Sequence, residues 1–533
     1  MVCFQICGYL YIYLLESLKI SKLFNMQLVD SFLSQRSLGI LVHPSSIPGG
    51  SYCGTFGEGL KKWINLLSIN KIRYWQFLPL TPVDQTGSPY SSPSSFAINP
   101  WFLDVNELIN SGFIAENQEI SKISSEGAKY DSFDFKMADS LSVLIENNIL
   151  DHWNNQSEII RDNFNNWCKI NPWVEDYAVF MVLKEEFDNK GWWEWPKVFR
   201  LKEEESIRNF INSRVKEILV KKLFQWHLNR QWIKIKRYAG EKEIKLIGDL
   251  PFYVSKDSVD VWSNKSLFSV SNEGNLIFQS GVPPDYFSST GQLWGTPVYY
   301  WAKHQRTKYD WWVKRFKRQF ELVDILRVDH FRAFAGYWRV DGEAKNAING
   351  SWIKSPGKEL LKTITKSFKV TKLPIIAEDL GVITEDVITL RNSFALPGMK
   401  ILQFAFDGNN DNPYLPKNIQ DANCVVYTGT HDNSTAISWW HDLDQHKRIE
   451  IDQTYGSSDI PPWNIIEMGM KTNANLFIVP IQDILSLDNS SRLNTPGTIE
   501  NNWKWKIKEL NGLLISSLEK YGKLGRVYSR INY

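Results

Sequence analysis

Cysteine is scarce in this 533-residue sequence: Cys3, Cys7, Cys53, Cys168 and Cys424 are odd in number, scattered, and without metal-ligand spacing. That excludes a disulfide framework and suits a reducing, cytoplasmic compartment. An excess of one charge is lacking as well. Lys plus Arg is 61 and Asp plus Glu is 59, a net charge of +2, and no basic stripe marks a nucleic-acid partner. Long apolar runs are missing, so no membrane span is expected. The most apolar stretch, residues 2–15, is interrupted by Gln5 and Gly8 and has neither a basic n-region nor a small-residue cleavage site. With Met26 downstream as a plausible start, residues 1–35 read as an upstream extension or a mis-assigned start. Internal repeats and low-complexity linkers are absent. The run from Asp407 to Asn412 has oxygen ligands at calcium-loop spacing, but Asn412 stands where glycine is needed and Asn418 where glutamate is needed. Gly357-Lys358 is followed by Glu359, so it is no phosphate loop. No dinucleotide fingerprint occurs. Neither a cofactor nor a metal is expected.

Aromatic residues, by contrast, are plentiful: 23 Trp, 21 Tyr and 29 Phe. Most are expected to fill the core, and the rest can pack on the C–H faces of sugar rings. Short apolar, β-rich runs recur at residues 38–43, 72–80, 244–247, 323–326, 373–377, 400–406, 424–427 and 476–481. Continuous apolar runs suit strands buried on both faces, as in a parallel sheet. With helical stretches between most of them, eight such runs predict an α/β fold, a (β/α)8 TIM barrel. The gap between the second and third runs is too long for one crossover. From 105 to 240 there are only two prolines and four glycines, so this insertion is predicted to be mainly helical. Its last helix is expected to be capped by Ser206 and to end at Gly240, with Ile207, Phe210, Ile211, Val215, Ile218, Leu219 and Leu223 on one face. A second insertion, 255–312, is rich in Gly, Pro, Tyr and Trp and reads as irregular loop. Residues 36–533 are thus expected to form one interrupted catalytic barrel.

Catalytic groups of such a barrel stand at the C-terminal ends of its strands. Four of the eight runs end in acidic clusters: Gly248-Asp249, Arg327-Val328-Asp329-His330, Glu378-Asp379 and His431-Asp432. Any one of them could simply cap the following helix. Four in register, two beside a His and one beside an Arg, point instead to a site. Breaking a glycosidic bond with retention needs one carboxylate as nucleophile and a second carboxyl, about 5 Å away, as acid and then base. The two must hold different protonation states at one pH. An arginine neighbour favours the charged form of a carboxylate, so Asp329 beside Arg327 suits the nucleophile. Glu378, with its longer reach, suits the proton donor. Asp432 suits a third role, stabilising the cationic transition state and holding sugar hydroxyls.

Longer segments then become specific. They include RSLGILVHPSSIPG at 36–49, SPYSSPSSFAINP at 88–100, GDLPFYV at 248–254 and GVPPDYFSSTGQLWGTPVYYW at 281–301. LRVDHFRAF at 326–334, AEDLGVIT at 377–384, TGTHDNST at 428–435 and LNTPGT at 493–498 complete the set. From about Arg36 onward the chain resembles the 4-α-glucanotransferases known as amylomaltases or disproportionating enzymes, glycoside hydrolase family 77. The resemblance implies the same roles: Asp329 as nucleophile, Glu378 as acid/base, Asp432 as transition-state carboxylate. It implies further that Arg327, His330, His431 and Asp249 line the cleaved sugar's subsite and that Tyr90 packs on that sugar. Asp285, Phe287, Gln292 and Trp294 fall on the loop that covers the acceptor side. The chain departs from the family pattern at Lys506, where relatives often carry arginine, and arginine-to-lysine changes lose bidentate pairing. The implied substrates and acceptors are α-1,4-glucans, maltooligosaccharides and glucose, with no nucleic acid and no membrane. An α-amylase-type hydrolase shares the carboxylate triad and stands as the alternative.

Overall fold

The computed structural model describes residues 33–50, 52–116, 118–120, 122, 132–284, 288–456 and 460–531. The apolar segment 2–15 and Met26 lie outside the described residues.

Eight strands form a parallel barrel sheet. In chain order they are β1 (Ser37–Leu41), β2 (Tyr74–Gln76), β3 (Lys245–Leu250), β6 (Ile325–Val328), β9 (Ile375–Ala377), β10 (Gly398–Ile401), β11 (Cys424–Tyr427) and β12 (Leu476–Pro480). The intervening numbers belong to a second, antiparallel sheet: β4 (Phe278–Val282), β5 (Gln292–Pro297), β7 (Gly336–Asp341) and β8 (Gly350–Lys354). Each predicted apolar run supplies one barrel strand, paired with its neighbours in parallel register, for example Ser37 with Leu476 and Leu326 with Ile375. The ring closes where the Ala377 N–H donates to the Pro397 carbonyl at 2.9 Å.

The runs lack polar alternation because both faces of each strand are covered. Inside the barrel, Leu41, Tyr74, Ile247, Ile376, Val425 and Ile478 belong to one buried cluster. Outside, Leu38, Trp75, Leu246, Leu326 and Val426 pack in a larger core that includes helix residues such as Trp63 and Trp232. Gly39 is needed where β1 passes its neighbours: a Cβ there would come within 2.9 Å of Ile478 and 3.0 Å of Tyr74.

Between β2 and β3 the long helices are Phe135–Trp153, Glu158–Ile170, Trp173–Glu186, Glu204–Ser213 and Val215–Glu241. The last, 27 residues long, spans about 40 Å at helical rise and is apolar on several faces. Trp226 packs on Trp153 and Phe164 of the insertion, and Trp232 packs on Phe56 and Phe77 beside the barrel. The expected single helix from Ser206 to Gly240 is therefore corrected in three places. Its cap is Glu203, it breaks at Arg214 (φ −124, ψ 33), and Gly240 lies inside the second helix. The break lets Phe210 turn onto Phe199, with the Arg214 guanidinium held by Glu186 at 2.8 Å. Glu243, at φ 59, rather than Gly240, takes the left-handed position after the helix.

The stretch 255–312 is not irregular either. It holds helices Val259–Ser263 and Trp301–Arg306 and the β4–β5 hairpin, because β4 finds an antiparallel partner in β7, beyond the barrel strand β6. Among the described residues no helix is long and apolar enough to cross a membrane.

Candidate active site at the C-terminal mouth of the barrel

Asp249 belongs to the end of β3, Arg327 to β6, Asp329 follows β6, and Glu378 follows β9. These strand ends open on one mouth, so residues far apart in sequence converge. Arg327 is buried and bridges two carboxylates. Its Nη1 donates to Asp249 Oδ2 at 2.6 Å and its Nη2 lies 2.9 Å from Asp329 Oδ1. Asp249 is 1 % exposed at its side chain against 31 % for Asp329, so of the two only Asp329 is open to an incoming molecule. Tyr90 donates its hydroxyl to the same Asp249 Oδ2 at 2.7 Å. Burial, reinforced by the Asp249 charge, pushes the phenol well above its ordinary value, which keeps it a donor. Burial also raises the Asp249 carboxyl, and the Arg327 charge opposes that rise. Asp249 Oδ1 is buried with no hydrogen-bond partner among the described residues.

Glu378 is near enough to Asp329 to be acted on by its charge. Its Oε2 accepts from the His330 N–H at 2.7 Å and its Oε1 from the Leu380 N–H at 2.9 Å. It keeps partial contact with solvent yet sits deep in the mouth. Desolvation and the Asp329 charge push its carboxyl up to about 7, against the pull of Arg327 and the two N–H donors. His330, at φ 51, occupies the left-handed region. This turn aims its N–H at Glu378 and its ring at Trp294, which meets it edge-on at 4.8 Å. Desolvation lowers His330 to about 4, so its ring is neutral at pH 7.

A fourth acidic group, Asp432, arrives on the loop 428–435 after β11. His431 stacks on Tyr90 with centroids 5.2 Å apart and planes 13° from parallel. Asp432 Oδ1 lies 3.2 Å from His431 Nε2 and accepts from Asn494 Nδ2 at 2.6 Å. Tyr90, Asp249, Arg327, Asp329, Glu378, His330, His431, Asp432 and Trp294 thus form one connected set. Gln292, exposed on β5, joins it through Trp294, whose Nε1 is 3.4 Å from its Oε1. Asp285 and Phe287 lie outside the described residues.

Three neighbours went unnamed in the sequence reading. Asn494 lies in the LNTPGT segment, beyond the helical turns that follow β12, where a lone amide gives no local signal of its own. Trp503 stands 6.0 Å from both Tyr90 and His431. Tyr253, in the GDLPFYV segment, stands 5.9 Å from Trp294 and 6.3 Å from His330.

The mouth of a (β/α)8 barrel lined by a carboxylate held by arginine, a second carboxyl raised toward neutrality and a third on a separate loop fits retaining chemistry on sugars. Comparison with known proteins points the same way. The family model for glycoside hydrolase family 77, described as 4-alpha-glucanotransferase, matches residues 42–511. A 4-alpha-glucanotransferase of Synechocystis sp. is 38 % identical over 509 residues, covering 93 % of this chain and 99 % of that protein. The chloroplastic/amyloplastic 4-alpha-glucanotransferase of Arabidopsis thaliana is 39 % identical over 477 residues, covering 89 % and 82 %. The solved structure of the amylomaltase from Streptococcus agalactiae in complex with acarbose superposes with a TM-score of 0.88 at 32 % identity, covering 93 % of this chain and all of that one. The chain is a member of the 4-alpha-glucanotransferase family, glycoside hydrolase family 77.

Proposed function

We propose that this enzyme moves a segment of an α-1,4-glucan to glucose or another glucan by two displacements at one anomeric carbon. In the first, an Asp329 oxygen bonds to the anomeric carbon as the glycosidic C–O bond breaks, and Glu378 gives its proton to the departing oxygen. In the second, the acceptor hydroxyl loses its proton to Glu378, bonds to the same carbon, and releases Asp329. Asp432 stabilises the cationic, oxocarbenium-like transition states between these species. Tyr90, Asp249, Arg327, His330 and His431 surround the cleaved sugar. Trp294 and Gln292 border the acceptor, and Asp285 and Phe287 belong to the same stretch of chain. Residues 36–533 act as one catalytic unit.

The observation that carries this reading is the contrast between two neighbouring carboxyls. Asp329 is ion-paired with Arg327 at 2.9 Å, whereas the Glu378 carboxyl, among the described residues, is hydrogen-bonded by backbone N–H groups and pushed up to about 7. A carboxylate paired with a guanidinium beside a carboxyl raised toward neutrality suits a nucleophile and an acid. A cytoplasmic location is part of the same proposal, supported by the free thiols of Cys53, Cys168 and Cys424.

The test is a product profile from maltotriose alone. Transfer yields glucose together with a ladder of longer maltodextrins at a nearly constant number of reducing ends. A steady rise in reducing ends, with nothing longer than the substrate, would show a hydrolase.

A further inference from the structure

Asp483 lies in the short helix Ile481–Ile484 that follows β12 and is 1 % exposed. Its two oxygens reach the two ends of the loop that carries His431 and Asp432. Thr428, the first residue beyond β11, donates its hydroxyl to Asp483 Oδ2 at 2.6 Å. Ala436, the first residue of helix Ala436–Asp442, donates its backbone N–H to Asp483 Oδ1 at 2.7 Å.

A carboxyl buried this deeply is costly unless something specific holds it. No cation faces it among the described residues, and burial pushes it up to about 6. The two bonds to the loop are what it makes in return.

The loop's shape and its attachment are secured separately. Asn433 Oδ1 accepts from both the N–H and the hydroxyl of Thr430, at 2.9 and 2.8 Å, and so fixes the turn around Asp432 from within. Most of the attachment to the barrel comes from the segment after β12, and Gln403, in the turn after β10, adds a bond from its Nε2 to the Ser434 carbonyl at 2.8 Å. Besides Asp483, Asn489 Oδ1 accepts from the Thr435 N–H at 2.9 Å, and the Asn494 N–H donates to the His431 carbonyl at 3.2 Å. The Arg492 guanidinium donates to the Asp432 carbonyl. Of these attachments, only Asp483 grips both ends of the loop.

We propose that Asp483 is a positioning residue for the transfer reaction: by joining Thr428 to Ala436 it sets where Asp432 stands in the barrel mouth. The inference rests on the reading of Asp432 as the transition-state carboxylate. Asp483 itself is enclosed beneath the loop and acts only through it.

The experiment compares Asp483→Ala, Asp483→Asn and Thr428→Val in the full chain, with kcat and KM for maltotriose and melting temperature measured for each. Loss of placement at a reacting centre costs on the order of 100-fold, so Asp483→Ala should lose kcat on that scale with KM changed less than about twofold. Thr428→Val removes one hydrogen bond and should lose kcat roughly tenfold. Asp483→Asn should recover most of the rate, because its amide oxygen can accept from Ala436 while its NH2 donates to the Thr428 hydroxyl. If Asp483→Ala does not fold, Thr428→Val and Asp483→Asn carry the test.

The decisive arm repeats Thr428→Val in an Asp432→Asn background, with α-glucosyl fluoride as substrate. A residue acting through Asp432 should have almost no further effect there. An equal loss in both backgrounds, or an unchanged kcat in Thr428→Val and Asp483→Ala, would overturn the proposal. The fluoride reaction needs no glucan acceptor, so this cycle decides the role of Asp483 even if the maltotriose profile shows a hydrolase.

Discussion

The backbone N–H of His330 donates to the Glu378 carboxyl at 2.7 Å. The residue directly after Asp329 therefore holds Glu378, the group proposed to work opposite Asp329. On that proposal, Asp329→Asn should abolish turnover, because an amide is a poor nucleophile at carbon. Glu378→Gln should lose glucan turnover by roughly 100- to 10,000-fold, the size of a general-acid contribution. It should lose far less on α-glucosyl fluoride, whose leaving group needs no proton. NMR early in the reaction should show α products throughout, as two displacements require. β products would refute the assignment.

The pH profile follows from the raised carboxyl. An acid pushed up to about 7 is protonated below that value and spent above it. The kcat/KM for maltotriose should therefore fall as pH rises through about 7. With α-glucosyl fluoride as substrate, Glu378→Gln should lose the alkaline limb in the first, glycosyl-forming step. An alkaline limb that persists in that step would assign the ionisation to another group.

Arg327 joins Asp249 to Asp329, and its removal deprives the enclosed Asp249 of the cation bonded to it. Breaking a buried pair from one side costs about 3–5 kcal/mol, so Arg327→Ala should show a clear drop in melting temperature as well as activity. Arg327→Lys keeps the charge but cannot bridge two carboxylates with a planar fork. It should recover more stability than rate. Calorimetry and initial rates on the two variants separate these effects.

Trp294 is 37 % exposed and stands edge-on to His330. In the proposed mechanism transfer and hydrolysis share one covalent species, so their ratio depends on how well an acceptor is positioned against water. Trp294→Ala should raise hydrolysis relative to transfer on maltotriose, read as reducing ends gained per glucose released. An equal decline in both would make the indole a structural residue.

The eight barrel strands were legible because burial on both faces writes an uninterrupted apolar run, as in Cys424–Tyr427, where run and strand coincide. At β10 the run overshoots: the strand stops at Ile401 and residues Leu402–Phe404 coil into a 3-10 turn. The acidic residues at strand ends were legible for a related reason, since a strand's end fixes where its next side chain stands. The antiparallel sheet was not. β5 and β8 are largely exposed and so lack an apolar run, β5 contains Gly295 at φ 65, and β4 pairs with a strand on the far side of β6. Local patterning cannot register a partner that distant. Asp483 escaped notice likewise, because its significance lies in Thr428 and Ala436, about 50 residues away by count along the chain.

That second sheet has a consequence for how such enzymes can be recombined. Its strands β4 and β5 come from the connection between β3 and β6, and β7 and β8 come from the connection between β6 and β9. The β4–β7 ladder stitches the two connections together, pairing Gln279 with Val340 and Gly281 with Trp338. Residues 278–297 and 336–354 are therefore a single exchangeable part encoded in two pieces. A chimera that imports one piece alone inherits an unmatched sheet edge, whereas moving both transplants the rim intact and leaves the intervening β6, with Arg327, in place.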